Sequence, residues 1–144
     1  MKKTILIATM LLSLASTASA QTMNSNSALY QALGEKAGLV KLMDDFVPRL
    51  QADSRLAEAF KKANVDNLKS QLVNQICQVS GGPCDYKGAD MKAAHGNMDI
   101  TKTDFNALVE VLQKSMDAQG IAFSSQNQLL AKLAPMHRDV ITIK

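Results

Sequence analysis

The chain predicts an all-α domain, and three observations carry that expectation. Apolar residues recur at spacings of three and four almost throughout, and no stretch alternates as a half-buried strand would. Seven Gly and 3 Pro in 144 residues are too few for an all-β fold dense in turns. A composition 47% hydrophobic and 20% charged belongs to a globular chain of one domain. Leu39, Val40, Met43, Phe46, Val47 and Leu50 form the first long stripe. Pro48 lies inside it and predicts a kink or an early loosening, because proline lacks a donor and clashes with the preceding turn. Asp53 is placed to cap a short helix carrying Leu56, Ala59 and Phe60. Val65, Leu68, Leu72, Ile76 and Val79 make the next stripe, stopped by Gly81, Gly82 and Pro83. Thr101 and Asp104 have capping-box spacing ahead of Phe105, Leu108, Val109, Leu112 and Met116, and Gly120 ends that helix. Leu129, Leu130, Leu133, Met136 or His137, and Val140 predict one last amphipathic helix. Four substantial helices and two or three short ones are expected.

The first twenty residues read differently. Lys2 and Lys3 precede a short apolar run through Leu14, and small residues end at Ala18 and Ala20. A basic start, an apolar core and an A-x-A end make a secretory signal peptide over residues 1–20. The run is short for a bilayer span; a membrane anchor is the alternative. Cleavage after Ala20 would leave Gln21 leading a polar segment over 21–28 and a domain over 29–144. The expected product is exported, most simply to a bacterial periplasm, with no membrane insertion after cleavage. The formal charge of +3 would fall to +1, with 14 basic against 13 acidic residues. A general nucleic-acid binder needs a concentrated basic face, and so small an excess argues against one. Cys77 and Cys84 flank six residues that include Gly81, Gly82 and Pro83. An oxidising compartment permits a disulfide between them; a buried free Cys77 with an exposed Cys84 is the other arrangement. The spacing is not C-x-x-C, so no redox or zinc motif is implied.

Few residues could carry chemistry. The sequence has no G-x-S-x-G, no phosphate-cradling glycine loop and no H-E-x-x-H. Asp44 and Asp45 are adjacent, so on a helix they point in different directions and read as solvated carboxylates. Lys61 and Lys62 read as a surface pair near a helix end. His95 stands at the end of a short helical segment stopped by Gly96. A helix-end surface histidine is its ordinary reading. One histidine cannot build a zinc site, but it can supply the single protein bond that haem iron needs.

Several short motifs occur in a consistent order: Leu29, Tyr30, Leu33 and Gly34; Asp44, Phe46, Arg49 and Leu50; Ala52, Asp53, Arg55, Leu56 and Phe60. Gly81, Gly82, Pro83, Tyr86, Gly88, Met91 and His95 follow, then Ile100, Thr101 and Phe105, then Leu133, Ala134, Pro135, Asp139 and Val140. With these the chain resembles the group I truncated haemoglobins over residues 28–141. The run from Gly81 to His95 is the most specific piece. The resemblance implies a two-over-two helical sandwich around haem b. His95 becomes the proximal ligand through Nε2. Phe60 packs on the haem face, and Met91 and Tyr86 lie near the proximal side. Core packing is compatible with the roles of Phe60 and Met91.

Departures from the family pattern bear on the distal side. The family commonly has Tyr directly after Phe46; here the residue is Val47. Many members place Gln one turn beyond a Leu over the iron; here the pair is Leu68 and Leu72. Loss of a hydrogen bond to a charge-bearing ligand removes about 1.5–3 kcal/mol, roughly ten- to a hundredfold in affinity. The resemblance therefore implies a diatomic gas ligand (O2, NO or CO) in an apolar pocket, with weakened preference for dioxygen. Gln71 and Gln75 flank the leucines; amides toward solvent or the propionates are the expectation, and an inward swing of one of them is the alternative. Gly34 is followed by Glu35 where the family often has a second Gly, so a stiffer first hinge is expected. His137 falls where some cyanobacterial relatives carry a His bonded to a haem vinyl; an ordinary surface or haem-edge histidine is the expectation. Nitric-oxide detoxification or peroxidase chemistry would need an electron donor that the sequence does not reveal. A monomer is expected. The alternative function is a haem-free helical module of globin shape that recognises a protein or lipid.

Overall fold

A computed structural model describes residues 27–143; the expected signal peptide and residues 21–26 lie outside the described residues. The helices are α1 (Ala28–Ala32), α2 (Glu35–Ala52), α3 (Ala57–Phe60), α4 (Val65–Val79), α5 (Met91–His95), α6 (Lys102–Ala118), α7 (Phe123–Leu133) and α8 (His137–Val140). No strand occurs among the described residues. The four long helices, α2, α4, α6 and α7, match the four expected from apolar spacing.

Helix boundaries follow local chemistry. Thr101 and Asp104 form a reciprocal capping box at the start of α6, satisfying two amides that the first turn leaves free. Asn64 caps α4 through the amide of Asn67. Gly81 (φ 85°) follows α4 and Gly120 (φ 67°) follows α6 in left-handed conformations, which glycine adopts without a Cβ penalty.

Two expectations need correction. Helix α2 does not loosen at Pro48 but runs on to Ala52; Pro48 is exposed, and burial of Leu50 beyond it (1% exposed) rewards continuation. Asp53 caps the turn that leads into α3, whose own N-cap is Leu56: its carbonyl accepts from the amides of Leu56 and Ala57, and its carboxylate from the amide and guanidinium of Arg55. The last stripe is not one helix: α7 stops at Leu133, Ala134–Met136 form a 3-10 turn around Pro135, and α8 is a separate single turn. A proline there removes one i→i−4 bond and crowds the preceding turn.

Helix α2 packs on α4 and α6, while α7 packs on α1, α4 and α6. The result is a two-over-two sandwich of α2 and α4 against α6 and α7. Leu39, Leu42, Met43 and Leu50 from α2 meet Ile76 and Cys77, Leu112 and Met116, and Leu129 in one core. Full burial of each such side chain is worth about 1.5–3 kcal/mol. The amide of Tyr30 donates to the Ser80 carbonyl at 3.1 Å, joining α1 to the end of α4. Helix α4 is two-faced. Val73, Ile76 and Cys77 enter the core, whereas Leu68, Leu72, Gln75 and Val79 are only half-buried. Spacings of four, three and four put those last side chains on one adjoining row. Helix α5 stands apart from the sandwich and packs on α8.

Candidate functional site

His95 is held by its own helix. Asp90 caps α5 by accepting from the Ala93 amide at 2.8 Å. Four residues after Met91, the His95 Nδ1 lies 2.8 Å from the Met91 carbonyl oxygen. A carbonyl only accepts, so Nδ1 carries the proton and donates. In the neutral tautomer that this contact selects, Nε2 is the nitrogen that offers its lone pair. Ligating histidines are oriented in this way, through a second hydrogen bond that fixes tautomer and ring direction.

The frame around α5 comes from three sides. Tyr86 donates its amide to Gln78 Oε1 at 2.8 Å and its hydroxyl to the Ala89 carbonyl at 2.9 Å. Gly88 lies so close that a Cβ there would sit 2.3 Å from the Tyr86 hydroxyl oxygen. The sulfurs of Cys77 and Cys84 are joined, so the disulfide arrangement is the one present, tying the end of α4 to the loop that leads to α5. On the far side, the amides of Thr142 and Ile143 donate to the Ile100 carbonyl, and Ile100 donates to Thr142 Oγ1. This clasp pins the segment after α5 to the residues after α8.

The residues expected to face a cofactor sort as follows. Met91 and His95 share α5, and both are half-buried, as is Tyr86 in the preceding loop. Phe60 and Leu72 are half-buried and pack against the edge of the core. Leu68 is half-buried on the same row of α4 as Leu72. Phe46 belongs to the core, and Val47 is wholly buried but stands outside the contiguous cluster. The apolar walls thus exist on α2, α4 and α5, and they carry no hydroxyl at position 47 and no amide at positions 68 or 72.

Gln75 departs from expectation. Its side chain is partly buried, and Nε2 lies 3.2 Å from the Met91 sulfur and 3.7 Å from the Met136 sulfur. It faces α5 and the 3-10 turn rather than solvent. Its place beside the leucines is the sequence signal that allows an inward side chain; the contacts with Met91 and Met136 are what the structure adds. Gln71 Oε1 sits beside Gly88, at the flank of the same helix. His137 is exposed, accordant with the surface reading; its Nδ1 is 2.9 Å from the Ala134 carbonyl, and its ring meets Phe105 edge-on at 6.3 Å. Phe105 was placed on the α6 stripe but not among the site residues.

These residues fit haem. One imidazole nitrogen remains for a metal while the other holds the ring, and half-exposed Phe, Leu and Met side chains on facing elements offer apolar surface for a planar ring. No group of three or more metal-ligating side chains occurs among the described residues, so a metal held by protein atoms alone has no such cluster to use.

Comparison with known proteins agrees with this geometry. The bacterial-like globin family matches residues 28–142. The group 1 truncated hemoglobin GlbN of Mycolicibacterium paratuberculosis is 28% identical over 116 residues, covering 81% of this chain and 85% of that protein. The group 1 truncated hemoglobin of Tetrahymena pyriformis is 25% identical over 119 residues, covering 83% and 98%. The crystal structure of the Tetrahymena pyriformis truncated hemoglobin, Fe(III) form, superposes with a TM-score of 0.76 at 25% identity, covering 78% of this chain and 97% of that one. The 2/2 hemoglobin from Synechococcus sp. PCC 7002, in the cyanomet state with covalently attached heme, shares the fold with a TM-score of 0.74 at 21% identity, covering 80% and 98%. The chain belongs to the bacterial-like globin family, whose members bind haem and diatomic gases; it is similar to the group 1 truncated hemoglobins and shares their two-over-two fold.

Proposed function

We propose that this chain binds haem b through His95 Nε2 and takes up a diatomic gas on the opposite side, in a pocket walled by Phe46, Val47, Leu68 and Leu72. The observation that carries the reading is the 2.8 Å contact from His95 Nδ1 to the Met91 carbonyl, which holds the ring by one nitrogen and leaves Nε2 for the iron. Haem supplies an iron with one coordination position for the protein and one for the gas. The chain's own residues do the rest. His95 gives a neutral nitrogen ligand, and the Met91 carbonyl raises its basicity. Phe60, Met91 and Tyr86 present apolar surface to the ring and exclude water. Leu68, Leu72 and Val47 present no hydroxyl or amide, so carbon monoxide and nitric oxide, which depend less on a donor, are disfavoured less than in a polar pocket. The chain acts as a monomer, and catalytic turnover, where it occurs, draws on an external electron donor.

The test is the visible spectrum of the purified chain reconstituted with haemin, before and after dithionite, beside His95→Ala. The expected result is a strong Soret band with one broad ferrous band, lost in the variant together with the stabilisation that bound haem confers. Binding only the folded state stabilises by about 4 kcal/mol at a thousandfold excess over Kd. A folded helical chain that takes up no stoichiometric haem, and in which His95→Ala changes nothing, would leave the haem-free binding module as the reading.

We further propose that residues 1–20 direct export to the periplasm and are removed. The Cys77–Cys84 disulfide supports this, since oxidising compartments are where such bonds persist. Protein recovered from the periplasm of an expressing bacterium should begin at Gln21 and carry no free thiol. Recovery of an uncut chain in the cytosol counts against it.

A further inference from the structure

We infer that the Cys77–Cys84 disulfide is a thiol-operated latch on haem. Closed, it holds the loop that positions His95; opened by an external dithiol, it frees that loop and lets haem leave. The inference rests on the haem reading above and adds a control to it. The bond joins α4, the helix of Leu68 and Leu72, directly to the loop that leads to α5 and His95. That loop has few other ties to α4. Between Pro83 and Ala89, no backbone group bonds to another backbone group among the described residues. The Tyr86 amide reaches α4 through Gln78 Oε1 at 2.8 Å, in an exposed bond open to competition from water. Helix α5 buries none of its own side chains, so the core does not hold it. Cys77 and Cys84 are therefore positioning residues for the proximal histidine.

The two sulfurs differ in access, and that difference lets the bond open without unfolding the chain. Cys77 is wholly buried, whereas Cys84 is half-buried at the edge of the core. Exchange proceeds at the sulfur that a thiolate can reach. An external dithiol forms a mixed disulfide with Cys84 Sγ, and Cys77 Sγ leaves with the electron pair and takes up a proton. The second sulfur of the dithiol then attacks the first, closing its own disulfide and releasing Cys84 Sγ, which also takes up a proton. The chain gains two electrons and two protons, and the dithiol is oxidised. A reduced Cys77 remains a small apolar residue in the core. The end of α4 stays fixed by the Tyr30 amide on the Ser80 carbonyl and by the Ser80 hydroxyl on the Ile76 carbonyl at 2.6 Å. The loop is what gains freedom. At present it is drawn down onto α4, so closely that a Cβ on Gly82 would sit 2.6 Å from Cys77 Sγ.

Two measurements test this. The first is haem transfer from the ferric, haem-loaded chain to excess apomyoglobin, for the oxidised chain, the chain reduced by dithiothreitol, and Cys84→Ser. The reduced chain and the variant should release haem about 10–100-fold faster than the oxidised chain, the range that loss of outer-shell support costs a metal site. Reoxidation with oxidised glutathione should restore slow release in the native chain, and Cys84→Ser should not respond to the reductant. Equal release from oxidised and reduced native chain overturns the inference. So does an equal response in Cys84→Ser, which would place the action of the reductant at the iron, and so does a bond that dithiothreitol cannot open in the folded chain. The second measurement is tryptic digestion of the full haem-free chain. Cutting after Lys87 and Lys92, both exposed, should quicken on reduction while the far-ultraviolet helical signal stays constant. Unchanged cutting, or loss of helix throughout, overturns the latch. Haem uptake with release indifferent to the thiols sinks only the latch; failure of the native chain to take up haem sinks both readings.

Discussion

At the scale of single residues, backbone conformation shows where the chain is strained. Glu35 opens α2 with φ 56°, directly after Gly34 at φ 80°. The sequence suggested a stiffer hinge because the second residue is not glycine; the structure adds that the residue still adopts the conformation glycine favours. A left-handed backbone costs an L-residue about 1–2 kcal/mol. Replacement by glycine also frees the unfolded chain by about 0.4–1 kcal/mol. Glu35→Gly should therefore stabilise the fold by up to about 1.6 kcal/mol, read as a rise in the urea midpoint at unchanged m-value. An unchanged or lower midpoint would mean that this turn stores no strain. Legibility at this scale was uneven for a physical reason. His95 was legible because its neighbours Gly81, Gly82, Tyr86, Gly88 and Met91 constrain one another in space and so form a run in sequence. Gln75 was legible only as an alternative, because a polar residue on a helix ordinarily faces water, and the sulfurs of Met91 and Met136, 16 and 61 residues away, decide it.

At the scale of elements, spacing predicted which segments are helical, while competition between interactions decided where they end. The α6 capping box was legible because both partners lie three residues apart. Asp53 caps the turn that leads into α3, as its place before Leu56 suggests, and the guanidinium of Arg55 adds a charged partner at 2.8 Å that the spacing alone does not show. Pro48 and Pro135 look alike in sequence yet act oppositely. Beyond Pro48 the helix buries Leu50. Beyond Pro135 the next turn, α8, buries no residue, and the path bends through a 3-10 turn. The bend has a use: it carries α8 against α5, and the Ile100–Thr142 clasp closes behind. The helix of His95 buries none of its own side chains, so its position derives from α8, the clasp and the disulfide-tethered loop rather than from the core. Low burial marks segments that open locally at little cost, which suits an element that must accommodate a large cofactor.

At the scale of the whole molecule, one arginine links the two layers at the surface, and three carboxylates tie stability to pH. Arg55 donates to Asp53 in the turn after α2 and, through Nη1, to Glu110 of α6 at 2.7 Å. The guanidinium holds the Asp53 carboxyl down to about 2. Arg49, through its hydrogen bond, lowers Asp45, and Thr101, through its hydroxyl and amide, lowers Asp104. A carboxyl group with a folded pKa below its unfolded value stabilises the native state fully above the unfolded value. That contribution disappears as pH falls through the folded value, since the unfolded state then binds more protons. All three shifts have this sign, so their losses reinforce one another. The haem-free chain should keep its stability from neutral pH down to about 5, then lose it progressively toward pH 2. The two ion pairs lie at the surface and each contribution is individually small, so the loss should be a slope rather than a step, and added salt should flatten it. Urea midpoints recorded at intervals across this range check the slope. Arg55→Met should remove the steepest part of it, near pH 2–4, because Asp53 then titrates at its ordinary value in both states. An acid limb unchanged in Arg55→Met would mean that protonation acts elsewhere, and that the link between the α2–α3 turn and α6 does not hold the two layers together.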